Sequence, residues 1–479
     1  MVVYRVGQIM VLEAVLMIFP LLVSVIYGEM RCLISFGAAI GTALLIGIIP
    51  MVFMKPYDNV MFAKEGVSIV AFAWILLSLV GALPFFFSRE IPNYFDAFFE
   101  TVSGFTTTGA SLITDLDAMS RGMLFWRSFT HWIGGMGILV LMMAIIPTDS
   151  GRSMHIMRAE MPGPVVGKLV PRLRDTAKIL YLIYFALTLL ETLLLLAGGM
   201  PLYDSIVHAL GTAGTGGYGI KGDSIGGYNA YLQWVIAVFM VIFGINFNLY
   251  YLVLMKKFKV AVKNSELWLF GILILASTVI IAVNIYPVYG NVADSARHSF
   301  FQVTSIMSTT GYSTADFNTW PGLSRNLLFI LMFIGGCAGS TAGGLKISRI
   351  MIMMKTIYND IRQLRHPRSV VKVKIDGKAL DDTTIRRVST YFVLYCLLIV
   401  AVFLLISFEP FDFETNLTAA VSCFNNVGPG LGAVGPAGGY SGYSDFSTIV
   451  LSFAMLLGRL EIFPILLAFN PANWVNKNK

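Results

Sequence analysis

The chain has 479 residues, of which 56% are hydrophobic and 13% charged, with a net charge of +7 and a mean hydropathy of +0.75. A water-soluble domain carries about twice that share of charge, so the composition excludes a soluble enzyme or binding domain and indicates a polytopic, all-α membrane protein. The four cysteines, Cys32, Cys337, Cys396 and Cys423, are scattered without metal-ligand spacing, so they suggest neither a disulfide framework nor a zinc site.

Crossing a bilayer takes about 20 apolar residues. Ten stretches reach that length: 8–27, 33–54, 67–88, 123–147, 177–200, 231–255, 267–288, 323–345, 388–408 and 446–469. The first follows Arg5 and shows no small-residue cleavage site, so it reads as a retained helix rather than a signal peptide. With both termini in the cytosol, the inward segments 1–7, 55–66, 148–178, 256–266, 346–387 and 470–479 hold 26 of the 34 Lys and Arg residues. The opposite orientation breaks the positive-inside rule. The basic excess is thereby explained by the bilayer, with no nucleic acid partner.

The outward connections after the third, fifth, seventh and ninth spans share an unusual composition, moderately apolar and rich in Gly, Ser and Thr. Each begins with a stretch too short to span and too apolar to float: 94–105, 203–213, 294–307 and 412–424. A re-entrant helix is expected in each. Aligning FFETVSGFTTTG (98–109) with FFQVTSIMSTTG (300–311) gives six identities. The other two loops are more divergent and offer Gly214-Thr215-Gly216 and Asn426-Val427-Gly428. The chain thus divides into two leading helices (1–66) and four units of helix, re-entrant helix, glycine loop and helix (67–176, 177–266, 267–387 and 388–479).

Non-helical backbone at membrane depth persists only where protein buries it or a watery cavity bathes it. Four such loops around one axis would turn carbonyl oxygens toward a shared pore, where they replace the water around a dehydrated cation. Glycine grants the backbone angles this requires, Thr adds hydroxyl oxygens, and the C-terminal ends of the short helices favour a positive charge. Thr-Thr-Gly alone is a common tripeptide, and membrane glycines often only permit close packing. Recurrence at four matching positions is what favours a cation filter.

At these residues the chain resembles the Trk/Ktr/HKT superfamily of potassium and sodium transport subunits, over essentially its whole length and most closely the bacterial TrkH branch. The resemblance implies filter glycines at Gly109, Gly216, Gly311 and Gly428. Ion-facing carbonyls are then expected from Thr107, Thr108, Gly214, Thr215, Thr309, Thr310, Asn426 and Val427. It further implies potassium as the transported ion with rubidium as its analogue, no cofactor in this chain and no enzymatic activity. A bacterial cytoplasmic-membrane location, a homodimer and a separate cytosolic ring of TrkA-like nucleotide-binding domains also follow from it. The fourth loop departs from the pattern: Val427 replaces Thr, and Pro429 removes an N–H after the glycine. A pore and a Na⁺- or H⁺-coupled symporter share all these features.

The stretch GGCAGSTAGGLK (335–346) falls late in the eighth span. Gly339 and Gly344 have Walker A spacing, but Leu345 stands where a lysine is needed and no strand precedes it. Five glycines in ten residues predict a broken helix. It reads either as a close-packing kink or, by the resemblance, as a gate formed by Gly335, Gly336, Gly339, Gly343 and Gly344. Arg459 on the last span matches the family's arginine beside that loop; a structural ion pair with Glu191 or another buried acid is the alternative. Lys346 is expected to snorkel toward the cytosol. Arg127 and His131 share a helical face without a third ligand, and Glu13, Glu191 and His131 are the candidates for proton coupling. The basic segment 346–387 suits lipid headgroups, and by the resemblance a docking surface.

Overall fold

The computed structural model describes residues 2–54, 63–137, 140, 173–367 and 372–470. Among these the chain is helical apart from connecting loops and one two-stranded hairpin, Lys374–Ile375 paired with Lys378–Ala379. Six helices are long and apolar enough to cross a bilayer: Val2–Ile26, Met30–Phe53, Glu65–Ser88, Asp175–Ala197, Ser265–Tyr289 and Asp382–Ile406. Their outer faces carry exposed leucine, isoleucine, valine and phenylalanine, such as Leu182, Phe185, Ile272, Val283 and Leu397. Water does not tolerate so continuous an apolar surface, and the chain is a multi-pass membrane protein.

The four spans expected after the re-entrant segments behave differently, because each stops short. Arg121–Met136 ends at Gly137; Ala230–Gly244 turns by 91° into Phe247–Leu254; Gly322–Ile334 ends at Gly335; Asp445–Arg459 ends before Phe463–Ala468. The rest of the expected 123–147 span beyond Gly137, Val140 excepted, and the stretch 148–172 lie outside the described residues. The break at Gly335 is the one that the glycines of 335–346 predict, whereas uninterrupted hydropathy suggests straight rods for the other three. Glycines at the breaks, and at Gly244 the close approach of Phe270, favour bends instead.

Four short helices fill the interior: Tyr94–Phe105, Leu202–Gly214, Val292–Met307 and Phe413–Asn425. Three begin on a side-chain cap, with Asn93, Asn291 and Asp412 accepting from the first-turn amides. Such caps stabilise a helix start by about 1 kcal/mol. Each short helix packs against the broken helix of the preceding unit: Leu202–Gly214 on Arg121–Met136, Val292–Met307 on Ala230–Gly244, and Phe413–Asn425 on Gly322–Ile334. Tyr94–Phe105 packs on the last broken helix, Asp445–Arg459, and so closes the circuit.

Candidate functional site

All four short helices end in the same backbone turn. A residue at the helix end takes a left-handed conformation: Thr107 (φ 56°), Thr215 (57°), Thr309 (57°) and Asn426 (56°). Its N–H, and that of the next residue, fold back on the last helical turn. The second of these bonds runs from Thr108 to Ser103, Gly216 to Gly211, Thr310 to Ser305 and Val427 to Ser422, at 2.8–3.0 Å. This is a Schellman ending, where glycine usually occupies the left-handed position. A threonine or asparagine there costs about 1–3 kcal/mol, so the side chains themselves must be useful. Thr309 Oγ1 accepts from the amide of Gly343 at 2.6 Å, Thr107 Oγ1 accepts from Arg459, and Asn426 Nδ2 donates to Thr108 Oγ1 at 3.0 Å.

Two residues beyond each left-handed position lies a positive-φ glycine: Gly109, Gly217, Gly311 and Gly428. The sequence alignment paired Gly216, not Gly217, with the other three, so the second loop is corrected by one residue. Thr215 matches Thr107, and Gly216 matches Thr108, Thr310 and Val427. Two adjacent glycines let sequence identity slide; the hydrogen bonds of the turn remove that freedom.

The glycines bring the loops together in cyclic order. A β-carbon added at Gly109 would stand 2.1 Å from the Gly216 carbonyl oxygen, and one at Gly217 2.0 Å from that of Thr310. One at Gly311 would stand 2.3 Å from that of Val427, and one at Gly428 2.6 Å from that of Thr108. No side chain fits at any of these contacts. Above the ring opens a cavity of about 410 Å³ whose lining includes all four of these glycines.

Aromatic hydroxyls tie neighbouring loops, which sequence reasoning missed. Tyr218 donates to the carbonyl of Ala110 at 3.1 Å, and Tyr312 to that of Tyr218 at 3.1 Å. The recurring Gly-Tyr of the second and third loops was the available signal. Glu100 also went unremarked. It forms a buried pair with Arg127 at 2.8 Å, accepts from Ser111 and Leu112 of the first loop, and so holds that loop. The Arg127 guanidinium lies 4.0 Å from the Tyr218 ring centre. His131, on the same helix, donates from Nδ1 to the Gly104 carbonyl at 2.7 Å, and its ring lies tilted over that of Tyr218 at 4.2 Å, a structural placement.

Beneath the ring runs the broken segment 335–346. Gly335, Gly339 and Gly344 have positive φ, while Gly336 is hemmed in by Ala342 and the Gly244 carbonyl. Gly343 donates to Thr309, and Gly344 to the Asn425 carbonyl at 3.0 Å, so the segment touches the third and fourth loops. Arg459 donates to the carbonyls of Thr341 (2.8 Å), Gly134 (2.6 Å) and Gly135 (2.7 Å) as well as to Thr107. One guanidinium therefore joins the segment to the first loop and its broken helix. Just beyond it, Glu461 and Ile462 both take positive φ, and Glu461 pairs with Arg349 at 2.5 Å. Lys346 does not snorkel: it is 1% exposed and its ammonium donates to the Ala342 carbonyl, capping the segment from within.

A family model described as TrkH, cation transport protein, matches residues 51–477. The chain is 37% identical to the Trk system potassium uptake protein TrkH of Salmonella typhimurium, with 98% of each covered. It is 34% identical to the Trk system potassium uptake protein TrkG of Escherichia coli K12, covering 98% of this chain and 97% of that one. Its fold matches the crystal structure of the potassium transporter TrkH from Vibrio parahaemolyticus with a TM-score of 0.88 and 31% identity over 99% of both chains.

Proposed function

The chain belongs to the TrkH family of cation transport proteins, and from that premise we propose that it takes up potassium through a pore ringed by its four glycine loops. The family is one of transporters, not of enzymes. The observation that carries the reading is the cyclic contact of Gly109, Gly217, Gly311 and Gly428 with the carbonyls of Gly216, Thr310, Val427 and Thr108. In this reading those carbonyls, with Thr107, Thr215, Thr309 and Asn426 behind them, replace potassium's water shell. The cavity above collects the ion from outside.

Segment 335–346 with Arg459 serves as the gate beneath the filter. A guanidinium on the ion path repels a cation at close range, and the intramembrane setting strengthens that repulsion. The two-helix N-terminal segment and the four repeated units are the domains of this scheme. Both termini face the cytosol of a bacterial inner membrane, two copies associate, and a TrkA-like nucleotide-binding ring acts on the basic face 346–387. Support for the inward orientation comes from charge placement, and for the ring from the relatives' naming as parts of a Trk system.

Ion-coupled symport is the second reading. It rests on Glu13, a buried carboxylate with no hydrogen-bond partner for either oxygen among the described residues. Rubidium uptake into potassium-loaded proteoliposomes separates the two. A pore gives uptake without an imposed gradient, blocked by external K⁺ but not by Na⁺ or Li⁺. Uptake that appears only with a proton or sodium gradient supports the symporter and overturns the pore.

A further inference from the structure

Glu266 is 6% exposed, in the first turn of the span Ser265–Tyr289, away from the glycine ring. One of its carboxylate oxygens accepts two main-chain N–H groups, from Ala338 at 2.7 Å and from Ser348 at 3.0 Å. Those amides lie on either side of the tight part of segment 335–346, ten residues apart in sequence. Ser348 is in the first turn of the helix Ile347–Arg365, where an N–H has no intrahelical acceptor. The neighbouring residue, Ser265, is held in turn from the cytosolic side. Asp376, at the tip of the hairpin Lys374–Ala379 and in a left-handed conformation, accepts from the Ser265 amide at 2.9 Å and hydroxyl at 2.6 Å. Lys355, on the helix Ile347–Arg365, donates to the Lys374 carbonyl at 2.8 Å.

We infer that Glu266 is a positioning residue that ties the interior of the intramembrane segment, at Ala338, to the helix start just past its end, at Ser348, and that the Asp376 hairpin sets its place from the cytosolic side. The functional half of this inference rests on the reading of that segment as the gate. One carboxyl oxygen that accepts two amides ties the chain at two points, and between those points lie two positive-φ glycines, Gly339 and Gly344. A shift of the hairpin reaches Ser265 directly, and Glu266 is the next residue of the same rigid helical turn. A cytosolic protein that bound the hairpin would thus move the gate without touching it.

The test uses the full-length chain in proteoliposomes, with hydrogen exchange of peptides covering 337–348 and rubidium uptake measured side by side. Glu266→Ala is expected to speed exchange across that stretch and to raise resting uptake at least threefold with the rubidium-over-sodium preference unchanged. Glu266→Gln keeps an acceptor oxygen and retains slow exchange. Asp376→Ala moves both readouts in the same direction by a smaller factor. Exchange and uptake equal to the parent protein in Glu266→Ala overturn the inference. So does Glu266→Gln behaving like Glu266→Ala, which would show that charge and not the acceptor matters, and an Asp376→Ala indistinguishable from the parent removes the hairpin from it. Should Glu266→Ala fail to fold, Ser348→Pro decides, because it deletes one donor at a helix position that tolerates proline; slow exchange there overturns the inference. If the parent carries rubidium only under an imposed proton or sodium gradient, the pore reading fails, while the exchange arm still decides whether Glu266 fastens the segment.

Discussion

The guanidinium of Arg459 donates to the main-chain carbonyl of Thr341 at 2.8 Å while its other amino group reaches Gly134 and Gly135 on a different unit of the chain. The contact joins the last broken helix to the intramembrane segment and to the helix beside the first loop. Replacing Arg459 by Ala removes several charge-assisted hydrogen bonds at once and leaves their carbonyls buried. The expected outcome is resting rubidium flux raised several-fold in proteoliposomes. Unaltered flux would make Arg459 a packing residue with no hold on the gate.

The fold was legible wherever hydropathy alone decides. Six full spans and all four short helices follow from runs of apolar residues and their length. Hydropathy has no term for direction, so it could not foresee that 231–255 bends by 91° or that 446–469 breaks after Arg459. Lys346 was misplaced for a related reason. Its long stem can reach an interface, but a left-handed backbone and a nearby carbonyl turn the ammonium inward. The pairs that hold the site, Glu100 with Arg127 and Tyr312 with Tyr218, connect residues 27 and 94 positions apart. The recurring Gly-Tyr marks the two tyrosines, but sequence spacing does not say which residues they or Glu100 meet.

Gly311, in the proposed filter, is hemmed in by two neighbours from the fourth loop. Its φ is 86°, and an added β-carbon would stand 2.3 Å from the Val427 carbonyl and 2.9 Å from Pro429 Cδ. Gly311→Ser must therefore push the fourth loop away. Rubidium uptake in that variant is expected to lose its preference over sodium by about tenfold, a shift of about 1.4 kcal/mol. An unchanged competition profile would place Gly311 outside the filter.

The Glu100–Arg127 pair is almost fully buried, at 0% and 2% side-chain exposure. Removing one partner strands the other charge in a low-dielectric interior, which costs about 3–5 kcal/mol. Arg127→Ala should lower the thermal unfolding midpoint of the detergent-solubilised protein markedly. The double variant Glu100→Gln/Arg127→Gln, which strands no charge, should recover part of the loss. Equal losses in the single and double variants would show that the two side chains act independently.

Glu409 sits outside the spans and accepts from the Ser444 amide at 3.1 Å and from the Ser444 and Ser447 hydroxyls at 2.5 and 2.6 Å, at the start of the helix Asp445–Arg459. Burial pushes its pKa up, but these donors outweigh it and hold the carboxyl below the ordinary value. A depressed pKa contributes stability that is complete above the unfolded-state value of about 4.3 and is lost as pH falls through the folded-state value. The unfolding midpoint of Glu409→Gln should therefore fall below the parent's at pH 7, and the gap should close below about pH 4. A gap that persists in acid would mean that shape, not charge, gives Glu409 its hold on Ser444.

The one-residue shift in the second loop has its own test, because the two glycines are blocked by different things. A β-carbon on Gly216 meets the His131 ring at 2.2 Å, whereas one on Gly217 meets the Thr310 carbonyl at 2.0 Å with φ at 76°. A side chain can be trimmed, but a carbonyl of the ring cannot. Gly216→Ala should depress rubidium uptake, and adding His131→Ala should restore a good part of it. Gly217→Ala should impair ion preference, and no such second substitution should rescue it, since both the clash and the left-handed backbone remain. Rescue of Gly217→Ala by His131→Ala, with none for Gly216→Ala, would return the loop to the register that sequence identity suggested.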